Sequence, residues 1–258
     1  IKVHVTGLIP RQREAGEIQV WTFEELKVVV DTAHDLNIPV VGHCRNASST
    51  RDAARAGFDM ILHATFMNEE ALEAVIEAKV PLVPTLTFQQ ILADYGHKVG
   101  ANPGFQKIFE REIVDSSAML RRAWREGVPI LAGSESGFSI TPYGEWHWRE
   151  LQVFVDHFGM TPVEAVHCAT GASGRALRLD GKVGILQEGK LADVIIVAGD
   201  VARDVTLLGR QENIRQVFKN GKAVDLSRPL EARQPIHGWR VSQYSTAPLT
   251  RAAAFSND

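Results

Sequence analysis

Apolar residues follow two rhythms through the first half of the chain. Short unbroken runs at Ile38–Gly42, Phe58–Leu62, Val80–Thr85 and Pro129–Gly133 have the length and composition of parallel strands buried on both faces. Between them, apolar residues recur at i, i+3 and i+4: Phe23, Leu26, Val30 and Ala33, then Ala71, Leu72, Val75 and Ile76, then a long amphipathic stretch from Phe105 that Gly127 ends. Local start signals agree with this reading. Thr22-Phe-Glu-Glu25 and Thr161-Pro162-Val-Glu164 are capping boxes, and Asn68 is a third N-cap. Ser48 to Gly57 has room for one short helix, and a further helix is expected through Trp146 to Phe158. Ile1 to Val5 alternates as a strand with Lys2 and His4 on one face, and Thr6 to Gln19 reads as a loop punctuated by Gly and Pro.

Strand followed by helix, repeated, predicts an α/β protein with a parallel sheet. Five strands are counted, ending near Lys2, His43, His63, Thr85 and Glu135, whereas a closed barrel of this kind takes eight. Three strands are therefore missing, or the sheet is open. From Lys182 the rhythm changes to short strands and turns, with Ala192–Ala198 the most apolar, Ile214–Phe218 next, and Asn220-Gly221 a hairpin signal. The expected divisions are 1–180 for the parallel part, 181–226 for a small β domain and 227–258 for an extended tail rich in polar residues.

Composition narrows the function classes. The 258 residues are 45% hydrophobic and 23% charged with a net charge of −3, so no basic face points to nucleic acid and no Lys/Arg cluster to a membrane surface. No apolar run approaches the ~20 residues of a membrane span. Two cysteines, Cys44 and Cys168, make no disulfide framework and fit a reducing compartment such as the cytoplasm. A small-molecule substrate is the default.

The candidate chemistry sits where the strands stop. His43 and His63 end two successive strand-like runs, and in a parallel barrel such positions converge on one rim. A histidine at a strand end is ordinarily a hydrogen-bonded structural residue, but two in successive units point to metal ligation by neutral imidazole. Cys44 alternates away from His43 and reads as a buried structural thiol. Arg45, on the face of His43, suits either a substrate carboxylate or a salt bridge to a neighbouring acid. Tyr143 and His147 lie after Glu135, where barrel enzymes build specificity.

Three motifs carry a resemblance: Gly133-Ser-Glu135-Ser-Gly137, Thr161-Pro-Val-Glu-Ala165 with Ala169-Thr170, and Val183-Gly-Ile-Leu-Gln-Glu-Gly-Lys-Leu-Ala-Asp193. Over about residues 1–226 the chain resembles the C-terminal part of a metal-dependent amidohydrolase, in the branch of imidazolonepropionase and Xaa-Pro dipeptidases. The resemblance implies a (β/α)8 TIM-type barrel of which this chain supplies about five strands, plus a small β-sandwich-type C-terminal unit. It implies a binuclear centre of two divalent metals, usually zinc. Lys2 is then the carboxylated bridge, His43 and His63 are ligands, and Glu135 is both ligand and general base. His147 sits where the family often keeps a histidine, Arg45 and Tyr143 remain substrate-binding candidates on their own placement, and His4 could face the metals.

Three positions depart from the family pattern. Glu135 replaces the usual Asp, Arg45 stands where a histidine is frequent, and the His-x-His of the family's first strand is absent. The expectation is therefore an N-terminal polypeptide that supplies the missing strands and the His-x-His, within an oligomer. Two functions stay open: hydrolysis of an amide bond in a small, carboxylate-bearing substrate, or a non-catalytic binding subunit that keeps the fold.

Overall fold

The computed structural model describes residues 1–11, 16–227 and 244–256. They divide into two compact units, one of residues 1–86 and 111–132, the other of 87–110 and 133–258.

The first unit is built on a parallel sheet. Its elements are β1 (Lys2–His4), β2 (Thr6–Arg11), β3 (Glu17–Gln19), α1 (Phe23–Asp35), β4 (Val41–Cys44), α2 (Ala47–Ala56), β5 (Met60–His63), α3 (Glu69–Ala78) and β6 (Leu82–Val83). The order is β1-β4-β5-β6, all parallel, with His4 beside His43 and Cys44 beside His63. A fifth segment reaches β6 through one bridge, Ile130 to Leu82, because Pro129 has no N–H to extend the ladder. This is the α/β strand-and-helix alternation expected; four of the five expected strands form, and the fifth is a single bridge at Ile130.

Helices lie where the local signals put them. Thr22 and Glu25 bond reciprocally across the start of α1, and Asn46 and Asn68 cap α2 and α3. Each such cap contributes about 1 kcal/mol. The stripe Leu26, Val30 and Ala33 is buried, as are Ala71, Leu72 and Val75 of α3.

The segment from Thr6 to Gln19 corrects the loop reading. β2 and β3 pair antiparallel, although the pairing is irregular between Thr6 and Arg11. What holds the second strand comes from elsewhere: Glu17 N–H donates to the Arg45 carbonyl at the end of β4 (3.0 Å), and Val20 N–H to the Val5 carbonyl (2.9 Å). Gly16 is needed there. Its φ is +103°, and a Cβ would stand 1.9 Å from the Arg45 carbonyl oxygen.

The second unit has its own core, in which Phe88, Ile91, Phe109, Ile140, Trp146 and Leu249 pack together. Phe88, Ile91 and Leu92 come from a helix, Thr87–Tyr95, that hydrophobic pattern alone did not identify. Regular helix after Trp146 is limited to His147–Val153, and wider π-type turns carry the chain on to Phe158. Thr161 and Glu164 form the expected capping box with Pro162 in the first turn. β7 (Val194–Val197), β8 (Ile214–Lys219) and β9 (Lys222–Ala223) form an antiparallel sheet, turned at Asn220-Gly221 as the sequence indicated. Asp193 braces that turn, accepting from Lys219 Nζ (2.7 Å) and Asn220 N–H (2.6 Å). The extended tail expected over 227–258 falls partly outside the described residues. In its described part, Leu249 and Ala254 are buried and the Leu249 carbonyl accepts from the Trp146 indole at 2.7 Å. Among the described residues, no helix is long and apolar enough to cross a membrane.

Candidate metal centre

His43 and His63 are brought together within the first unit. Both are buried, and His43 Nδ1 lies 2.8 Å from His63 Nε2. Simple strand alternation would not give this. His63 stands beside Cys44 in the register, and Cys44 faces the layer of Phe58, opposite to His43. The final residue of β5 escapes the alternation because its φ is +70°, which turns the imidazole across to the His43 face. Thr85, just beyond β6, also has a positive φ of +54°. Left-handed backbone is costly for residues other than glycine and concentrates at functional sites.

The outward nitrogens of both rings are committed. Thr85 donates its own hydroxyl proton to the Pro84 carbonyl (2.7 Å), so its oxygen accepts from His63 Nδ1 (2.5 Å). His43 Nε2 donates to Glu17 Oε2 at 2.9 Å. The hydrogen-bond network therefore leaves a lone pair on His63 Nε2, facing His43 Nδ1. Burial, then the positive charge of Arg45 and of Lys2 nearby, holds His63 well below its usual pKa and keeps that lone pair free of a proton. Two converging ring nitrogens at this distance call for one positive centre between them. A metal ion fits: neutral imidazoles are ligands for divalent cations, and a ligating histidine normally gives its other N–H to a carboxylate or another acceptor.

Lys2 and His4 lie on the same face of β1, and the His4 ring is 4.8 Å from that of His43. Arg45 is buried, with Nε 3.3 Å from Glu17 Oε1 and its guanidinium paired to the buried Glu112 carboxylate. Of its two possible roles, the salt bridge to a neighbouring acid is the one these contacts display. Burial pushes the Glu17 carboxyl up, but the His43 hydrogen bond and the Arg45 charge outweigh it, and the group stays below its ordinary range. The sequence offered little to single out Glu17, since no histidine lies near it along the chain. Cys44 is fully buried, and burial pushes its thiol far above the usual value. That is the inert thiol expected.

Glu135 belongs to the second unit, in a turn that is specified in detail. Its φ is +48°, its carbonyl accepts from Thr141 Oγ1 (3.1 Å), and Gly137 N–H donates to the Thr141 carbonyl (3.0 Å). Ser134 Oγ bonds to Ser136 Oγ (2.9 Å) and to His147 Nδ1 (2.6 Å). Tyr143 is half exposed and lies against Gly137. Glu135, Tyr143 and His147 thus share one loop system, and Lys2, His43, His63 and Arg45 share the sheet of the other unit.

A parallel sheet with histidines converging at successive strand ends defines an α/β chain with a candidate metal site. The chain belongs to the Amidohydrolase family, whose sequence profile matches residues 12–224. It is 28% identical over 225 residues to the ochratoxinase of Aspergillus niger, covering 86% of this chain and 45% of that protein. Among solved structures it is similar to a Xaa-Pro dipeptidase with bound methionine in the active site, at 31% identity and a TM-score of 0.73, covering 86% of this chain and 53% of the other. The crystal structure of A. niger ochratoxinase matches at 27% identity and a TM-score of 0.72, with 86% and 50% covered. The chain spans about half the length of these relatives.

Proposed function

We propose that this chain carries the C-terminal part of a metal-dependent hydrolase that cleaves an amide bond in a small substrate bearing a carboxylate. The observation that carries this reading is the convergence of His43 Nδ1 and His63 Nε2, 2.8 Å apart and buried, with both outward N–H groups already bonded. Membership of the Amidohydrolase family supports it, as does similarity to an ochratoxinase and a Xaa-Pro dipeptidase.

In this proposal His43 and His63 would hold a divalent cation, zinc being first choice, and Lys2 would join the ligand set as a carboxylate after reaction with carbon dioxide. Unmodified lysine is a cation and a poor ligand, so the modification is chemically required for that role. When bound, such a cation would supply a water of lowered pKa and polarisation of the scissile carbonyl. Glu135 would take the proton of the attacking water and return it to the leaving amine, as general base and then acid. Tyr143 and His147, from the same loop system, contact the substrate. Arg45 acts through Glu17 and Glu112 in place of binding substrate directly. The proposal includes a cytoplasmic oligomer and an additional N-terminal polypeptide with a His-x-His. Ile195 and Ile196, on opposite faces of β7, are 58% and 47% exposed, apolar surface of the kind that further strands cover.

The test is metal analysis of the purified protein with hydrolysis assays on N-acyl amino acids and Xaa-Pro dipeptides, before and after chelation and zinc addition. Hydrolysis lost on chelation and restored by zinc is expected. Metal-free protein with no zinc uptake would overturn the reading and leave a non-catalytic binding subunit.

A further inference from the structure

Glu17 takes no part in the chemistry above, yet it is tightly held beside the two histidines of the first unit. Its Oε2 accepts from Thr6 Oγ1 and from His43 Nε2, both at 2.9 Å, while its Oε1 faces Arg45 Nε at 3.3 Å. Its backbone is pinned as well. The N–H donates to the Arg45 carbonyl (3.0 Å), the carbonyl accepts from Asn46 Nδ2 (2.6 Å), and Gly16 permits the close approach that places it there. The residue is buried, with 8% of its surface exposed. A carboxylate fixed at both its head and its backbone fixes the direction of the N–H it receives.

The chemistry of that contact goes beyond filling space. An anionic acceptor on Nε2 selects the Nε2–H tautomer, leaving Nδ1 as the donor atom, and raises the basicity of that atom. Any neutral group of the same shape would pack as well without doing the second. We propose that Glu17 is a positioning residue, oriented by Arg45 and Thr6, that sets the tautomer of His43 and strengthens its Nδ1 as a ligand for a divalent cation. This deepens the metal reading of the site and rests on it. It also explains the hairpin of β2 and β3, whose second strand delivers the carboxylate from outside the parallel sheet.

Two variants separate the charge from the shape. Glu17→Gln keeps an acceptor and the volume, and Glu17→Leu keeps the volume alone. Arg45 retains Glu112 as a partner in both, so neither leaves its guanidinium unpaired. In full-chain protein labelled with 15N-histidine and free of metal, long-range 15N–1H spectra should show a proton held on His43 Nε2 in the wild type and no longer fixed there in Glu17→Leu. Zinc affinity, measured by competition with a chromophoric chelator, should fall about 10-fold in Glu17→Gln and towards 100-fold in Glu17→Leu, the range found for such outer partners. The visible bands of the cobalt-loaded protein should shift in both. Zinc affinities within twofold of wild type with unchanged cobalt bands would overturn the proposal, and so would a His43 tautomer indifferent to Glu17→Leu. Wild-type protein that takes up neither ion would instead remove the metal reading, and with it the donor-strength claim. The tautomer spectra then decide separately whether Glu17 orients His43.

Discussion

Arg45 offers the most direct test of how the first unit is held together. Its guanidinium lies between two buried carboxylates, Glu17 and Glu112, which are 8% and 1% exposed. Arg45→Ala removes the charge that lies between them and leaves two anions in a medium that solvates them poorly. Breaking a buried ion pair from one side costs about 3–5 kcal/mol, because the desolvation already incurred is no longer offset. For a chain of this length each kcal/mol moves the midpoint by roughly 2–4 °C, so the melting temperature should fall by about 6–20 °C. Arg45→Lys should recover only part of this, since one ammonium cannot present the planar fork. Arg45→Met with Glu112→Leu should recover more than half, because Glu17 keeps the Thr6 hydroxyl and His43 while the second buried anion is gone. Differential scanning calorimetry and urea titration of the four proteins make the measurement. A loss below about 2 °C in Arg45→Ala, or a double variant no better than the single, would refute the buried-pair reasoning.

Three further outcomes are expected. Gly42→Ala should destabilise the protein by about 1–3 kcal/mol in urea titration, because the new methyl would stand 2.9 Å from the Phe58 ring, and Phe58→Val in the same chain should relieve it. Burial holds His63, His147 and His157 below their usual pKa in the fold, so the unfolded chain binds more protons as pH drops through about 6.5. Stability should therefore be full above that pH and fall below it towards the folded values, with Glu17 adding a second loss at lower pH as its depressed carboxyl protonates. A melting temperature that stays level from pH 8 to 5.5 would contradict this. Glu135→Gln should keep zinc bound and lower amide hydrolysis by about 10²- to 10⁴-fold, and unchanged turnover would remove Glu135 from the proposed chemistry.

What could be read from the chain was what the chain encodes locally. Thr22 with Glu25, Asn68, and Thr161 with Glu164 announce helix starts because the cap and its partner lie three residues apart. The helix Thr87–Tyr95 escaped because its first amide is satisfied by Glu150, whose Oε2 accepts from Thr87 N–H (2.7 Å) and Thr87 Oγ1 (2.6 Å) from 63 positions away. The same reason hid β3 and Glu17, which are placed by the end of β4 and not by any pattern of their own. The histidine pair was legible as two strand ends. Its geometry was not, because a backbone turn at His63 leaves no trace in hydrophobic alternation.

That turn has a consequence for how the site meets its ligand. A left-handed residue outside glycine carries a standing cost of about 1–3 kcal/mol, and His63 and Thr85 both adopt such geometry. The expenditure is made during folding, before any ion or substrate arrives. Zinc uptake at the proposed His43–His63 site should then need no rearrangement of the strand ends and follow a single kinetic phase whose rate is proportional to zinc concentration. His63→Gly would take away the ring, but Ala64→Gly, at the neighbouring left-handed position with φ +49°, would relax the turn while leaving both imidazoles in place. The turn would then become a hinge, stabler in the absence of metal and slower to load.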